Sequence, residues 1–94
     1  MKIGILGSGI VGRVLGNAFI TEGHEVMLGT RDVQKADVVK WMAENPAAKA
    51  GSFEETAAFG ELVVLATSGD ITAEVIKMAG NPNFSNKVVI HAAN

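Results

Sequence analysis

The stretch Ile3-Gly4-Ile5-Leu6-Gly7-Ser8-Gly9-Ile10-Val11-Gly12 constrains this chain more than any other. An apolar run closes in Gly-x-Gly-x-x-Gly and an amphipathic pattern starts at once. The backbone must therefore pass from strand through a tight turn into a helix. Gly7 permits the turn, Gly9 keeps the backbone bare for a close neighbour, and Gly12 lets the helix lie against the strand. A helix that starts there presents unpaired N–H groups and its positive dipole end, an arrangement that takes a pyrophosphate. Glycine-rich turns are common, so the pattern alone is weak. Its place directly after a strand and directly before a helix gives it weight. The alternative is a structural turn with no ligand.

Apolar runs alternate with helical patterns along the rest of the chain, which predicts a parallel α/β sheet. Strands are expected at about 2–6, 25–28, 49–51, 62–66 and 87–91. The first helix is expected over 10–22, with Val11, Val14, Leu15, Ala18 and Phe19 as its core face. Gly23 stops it. Asp32 is placed to cap a second helix over 33–44, with Val33, Ala36, Val39 or the Lys40 stem, and Ala43 on one side. Trp41 is left between core and interface, as are Met27, Met42 and Phe84. Ser52-Phe53-Glu54-Glu55 reads as a capping box for a short helix that stops at Gly60. The fourth helix, 71–79, has Ser68 or Asp70 as its cap and Gly80-Asn81-Pro82 as its stop. Right-handed crossovers order the sheet 3-2-1-4-5, a three-layer, doubly wound Rossmann-type arrangement. Ligands bind such sheets at the carboxyl edge where strand order reverses. There the turns at Gly7–Gly12, Gly29–Arg31 and Ala66–Asp70 converge, joined by Asn94.

Ninety-four residues make one small domain, and 48% of them are hydrophobic. That apolar share is high for a soluble chain of this size, and leaves room for a homo-oligomer or a covering region. The net charge of −2 with interspersed charges gives no footprint for nucleic acid. Without cysteine, disulfides, thiol catalysis and zinc–thiolate sites are excluded. No apolar run approaches the roughly 20 residues of a membrane span, and glycines break the apolar N-terminus where a signal peptide would need continuity. The expected setting is cytoplasmic.

Three turns carry the candidate chemistry. Dinucleotide sheets that take NAD usually place Asp or Glu at the end of the second strand, to hold the ribose hydroxyls. Gly29-Thr30-Arg31 stands there instead. A guanidinium matches a phosphate fork and stacks on adenine, and Thr30 adds a hydroxyl, so NADP is favoured over NAD. The competing possibility is that Arg31 pairs only with Asp32 or solvent. Ala66, Thr67 and Ser68 leave room for a flat ring beneath the nicotinamide half, and Ser68 also suits a helix cap. His24 and His91 are the only histidines. His24 falls on the edge opposite the turns; His91 falls near the carboxyl end of the fifth strand, where it could approach the site, with packing the commoner role and catalysis the alternative. No Ser–His–Asp set, carboxylate pair or metal-ligand cluster is legible, and no catalytic side chain is assigned.

With Gly-Ser-Gly-Ile-Val-Gly-Arg at 7–13, Gly-His-Glu-Val at 23–26 and Gly-Thr-Arg-Asp at 29–32, the chain resembles the NADP-binding domain of the NADPH:deazaflavin oxidoreductases. Ser52–Glu55, the Val63–Ala66 strand and Val88–Asn94 extend the likeness over the whole length. The resemblance implies that Ser8, Ile10 and Val11 contact pyrophosphate and that Thr30 and Arg31 hold the 2′-phosphate. It also implies that Ala66 and Thr67 line the nicotinamide site, with Asn94 near its ribose. Members of that family pass hydride between nicotinamide and a flavin-like ring, a reaction that needs orientation more than acid–base groups. They continue beyond the point matching Asn94, into a region that shapes the substrate site and dimer. Residues 1–94 are therefore expected to be the NADP-binding domain alone, serving a small redox acceptor. Thr67-Ser68-Gly69 stands where the family has more apolar residues. The alternative from another class is a non-catalytic NADP(H)-binding sensor or regulatory module.

Overall fold

The apolar run of residues 3–6 sits at the centre of the molecule because both of its neighbours are equally apolar. Its strand β1 (Lys2–Leu6) pairs in parallel with β2 (Glu25–Gly29) on one side and β4 (Leu62–Leu65) on the other. Ile5 lies opposite Leu28 and Val64 in the two pairings. The computed structural model describes residues 1–92. With β3 (Lys49–Gly51) and β5 (Val88–His91) the sheet has five parallel strands in the order β3-β2-β1-β4-β5, as expected. The connections are α1 (Ile10–Thr21), α2 (Ala36–Glu44), α3 (Phe53–Phe59) and α4 (Gly69–Ala79), followed by a 3₁₀ turn at Asn81–Phe84. That turn begins at the Gly80-Asn81-Pro82 stop, where Pro82 suits a first helical turn.

Strand residues alternate between two cores. Ile3, Ile5, Val26, Leu28 and Val64 face α1 and α2, where Leu15, Phe19, Trp41 and Met42 meet them. Val63 and Leu65 face α3 and α4, packing with Phe53, Ala57, Val75 and Ala79, and Phe84 leans on this cluster. Helices thus cover both faces, the doubly wound arrangement. Trp41 belongs to the core: it is 3% exposed, and its indole N–H donates to Asn17 Oδ1 at 2.9 Å.

Two helix faces differ from expectation. Gly12 and Gly16 are the buried residues of α1, whereas Val11, Val14 and Ala18 are exposed. The helix lies so close to its neighbours that a Cβ at Gly12 would overlap the Gly7 carbonyl oxygen. One at Gly16 would sit 2.9 Å from the Trp41 ring. Close approach, not side-chain size, chose the face. In α2 the buried pair is Val38 and Trp41, and Val33, Ala36, Val39, Lys40 and Ala43 are all exposed. Two stripes compete on that helix, and the one carrying Trp41 buries more apolar area. The Ser52–Glu55 capping box is present as expected: Glu55 N–H donates to Ser52 Oγ at 3.0 Å and Ser52 N–H to Glu55 Oε1 at 2.9 Å.

Every residue of β5 is exposed. Val88 and Ile90 pair with Leu62 and Val64 and share their sheet face, yet they are 63% and 46% exposed. No described helix covers that corner. None of the described helices is long and apolar enough to cross a membrane.

Candidate functional site

The three glycines of the first turn do three different jobs. Gly7 has φ 130°, a conformation L side chains rarely adopt, and its N–H donates to the Gly29 carbonyl at 3.0 Å. That bond ties the turn to the end of β2. Gly12 is packed against Gly7. Gly9, by contrast, is extended, caps α1 with no side-chain bond, and a Cβ there would meet nothing within 4 Å. The helical ladder begins with Arg13 N–H donating to the Gly9 carbonyl at 3.0 Å. The N–H groups of Ile10, Val11 and Gly12 thus precede any intrahelical partner, and the first turn holds no acidic residue. Open space, free donors and the positive end of a 12-residue helix coincide at Gly9.

The loop after β2 forms the second wall. Thr30 is buried, and its hydroxyl accepts from Ser8 Oγ at 3.1 Å and from Asp32 N–H at 3.3 Å. It ties the glycine turn to this loop. Asp32 does not cap α2. Its Oδ1 accepts from Gln34 N–H at 2.9 Å, an Asx turn that delays the helix until Ala36. The delay leaves Lys35 at the helix mouth beside Arg31. Arg31 pairs with neither Asp32 nor solvent alone: its guanidinium lies 3.5 Å from Glu74 Oε1 on α4.

The turn after β4 satisfies its own hydroxyls. Thr67 and Thr72 share a buried bond of 2.8 Å, and Thr72 also donates to the Ser68 carbonyl at 2.8 Å. Ser68 is the N-cap of α4, but its hydroxyl donates to Asp70 Oδ1 at 2.7 Å and makes no cap bond. α4 starts at Gly69, two residues before the expected place.

Between these walls runs a cleft of about 330 Å³, from Gly9 past Ser68 to Arg31 and Lys35, with Phe53, Ile71 and Val75 as its apolar side. A second hollow of about 260 Å³ adjoins it between Val11 and Ala92 and shares Gly9 and residues 66–68 with it. Of the residues singled out from sequence, Gly7, Ser8, Gly9, Thr30, Arg31, Ala66, Thr67 and Ser68 line the cleft. Ile10 and Val11 line the hollow, and Gly12 is buried behind both. Asn94 lies outside the described residues. Lys35, Phe53, Ile71 and Val75 escaped the sequence reading. The signal for Lys35 was a second cation four residues after Arg31, hidden by the assumption that the helix had begun.

The histidines stand apart. His24 Nδ1 lies 3.1 Å from the N-terminal ammonium and meets Phe19 edge-on, whereas His91 lies exposed on β5 and lines neither hollow. No group of three His, Cys, Asp or Glu that could hold a metal occurs among the described residues.

Comparison with curated protein sequences returns no match. Among solved structures, a protein of Arthrobacter sp. FB24 assigned as an F420-dependent NADP-reductase is 36% identical with a TM-score of 0.91. The match covers 100% of this chain and 46% of that one. An imine reductase of Streptomyces aurantiacus (24% identity, TM-score 0.79) matches over 99% of this chain and 32% of its own. The pyrroline carboxylate reductase of Plasmodium falciparum, solved with NADP bound, is 19% identical with a TM-score of 0.74, over 99% and 33%. These two share the fold. The chain thus spans less than half the length of each of these relatives. Residues 2–94 match the family described as NADP oxidoreductase coenzyme F420-dependent. This chain belongs to that family.

Proposed function

We propose that residues 1–94 form the NADP(H)-binding part of an oxidoreductase that exchanges hydride between nicotinamide and a deazaflavin or similar small acceptor. The observation that carries this reading is the alignment of three features along one groove. Bare Gly9 with its free helix donors lies at the centre, a two-cation rim of Arg31 and Lys35 at one end, and at the other the hollow lined by Ile10, Val11 and Ala66–Ser68. The residues present fit the dinucleotide. N–H groups of the α1 first turn would hold the pyrophosphate, with Ser8 beside them. Phe53, Ile71 and Val75 offer an apolar wall for adenine, and Arg31 and Lys35 offer charge-assisted donors for a 2′-phosphate. Thr30, its hydroxyl already bonded to Ser8 and Asp32, is better placed to fix the loop than to grip the phosphate. Ala66 and Thr67 leave room for a flat ring. Bound NADPH supplies the hydride; the chain supplies binding and orientation.

The deazaflavin acceptor rests on the family's description and on the name of the Arthrobacter relative. The relatives' greater length supports a further region that completes the acceptor site. Calorimetric titration with NADPH, NADH and 2′,5′-ADP tests the cofactor part directly. NADPH and 2′,5′-ADP are expected to bind well and NADH poorly. Arg31→Ala is expected to weaken NADPH by about tenfold or more, the worth of one charge-assisted contact, and to leave NADH nearly unchanged. Equal losses for both nucleotides would sink the 2′-phosphate assignment.

A further inference from the structure

Glu74 lies on α4 between Ile71 and Val75, two residues that wall the cleft, and its carboxylate reaches Arg31 on the opposite side. The bridge joins the loop after β2 to α4 across the cleft. It is made in water: the two side chains are 55% and 60% exposed, and the separation is 3.5 Å. Such a pair shifts an equilibrium by a few-fold at most. Asp32, the chain neighbour that could have claimed Arg31, spends an oxygen on Gln34 N–H. Lys35, on the same rim, makes no ion pair among the described residues. One rim cation is therefore neutralised and the other is left for an incoming anion.

We propose that Glu74 sets phosphate selectivity by competing for Arg31, an inference that rests on the NADP reading above. Carboxylate and phosphate both fit the guanidinium fork. A phosphate monoester carries roughly −1.5 to −2 charge at neutral pH and a carboxylate −1, so the phosphate wins the exchange, with Lys35 adding to its advantage. A dinucleotide with a free 2′-hydroxyl brings no charge to exchange and leaves the bridge intact. Glu74 thus lowers apparent affinity for the phosphorylated ligand by the fraction of Arg31 it occupies. In return it keeps the guanidinium from weaker anions.

Glu74→Gln keeps the size and helix propensity and removes the charge. It is compared with the parent, Arg31→Ala and the double variant, by calorimetry with NADPH, NADH and 2′,5′-ADP at low salt, alongside thermal melts. The expected result is that Glu74→Gln melts with the parent and binds NADPH and 2′,5′-ADP about two- to fivefold more tightly. NADH affinity stays unchanged. The gain shrinks near 1 M salt, where the Debye length falls to about 3 Å, and it vanishes in the Arg31→Ala background. Unchanged NADPH affinity in Glu74→Gln overturns the competition while leaving the NADP reading intact. A gain that persists without Arg31 also overturns it, because Glu74 would then act by simple repulsion. A parent that binds NADH as well as NADPH overturns both.

Discussion

A methyl group added at Gly9 and one added at Gly12 are expected to do opposite things. At Gly12 the new atom would run into the Gly7 carbonyl oxygen, a backbone atom held by the turn itself. Overpacking of that kind costs about 1–3 kcal/mol, and a backbone neighbour puts it at the upper end. At Gly9 the same atom has no neighbour within 4 Å and the backbone is already extended. The loss is under about 1 kcal/mol, the difference between glycine and alanine as an N-cap. It nevertheless fills the space that the cleft and the hollow share. Gly12→Ala should therefore lower the urea midpoint while Gly9→Ala leaves it near the parent and loses NADPH in calorimetry. A Gly9→Ala protein that bound NADPH like the parent would remove the pyrophosphate from this turn.

The N-cap of α3 and a side chain one turn inside it make opposite contributions to stability. Ser52 and Glu55 satisfy each other's backbone donors, and Ser52→Ala should cost about 1 kcal/mol. One turn later the Thr56 hydroxyl is fully buried with no hydrogen-bond partner among the described residues. Removing a desolvated, unpaired hydroxyl while keeping the shape should gain about 1 kcal/mol, so Thr56→Val is expected to melt higher and Ser52→Ala lower. The capping box was legible in the sequence because both partners lie within one turn. So were the strands and their order, set by apolar runs and crossover handedness. The start of α2 was not: Asp32 has two local options, N-cap and Asx turn. The loop here bonds Asp32 N–H to the buried Thr30 hydroxyl, a residue held in turn by Ser8 and Gly51. The α1 face was missed because glycines contribute nothing to an apolar stripe yet allow the closest approach. Arg31 and Glu74 meet only once β2 and α4 are both in place, so no local pattern announced their contact.

At the scale of the whole molecule, the described helices cover the sheet over β1, β2 and β4 and leave β5 exposed. Val64 and Ile90 make this testable, since they are partners in register on the same face of adjoining strands. Val64 is 2% exposed beneath α1, and Ile90 is 46% exposed. Truncating Val64 to Ala leaves a cavity in a packed core and should cost about 2 kcal/mol or more. Ile90→Thr keeps β-branching on an edge strand, removes little buried area, and should cost less than about 1 kcal/mol. Urea denaturation of the two variants reads the difference directly. If instead Ile90→Thr costs as much as Val64→Ala, the face over β5 is covered in solution. The source of that cover then shows in the melt. A second copy of the chain makes the transition depend on protein concentration, because dissociation then accompanies unfolding. A concentration-independent melt with a cheap Ile90→Thr marks β5 as a free edge, held by its pairing to β4 rather than by packing.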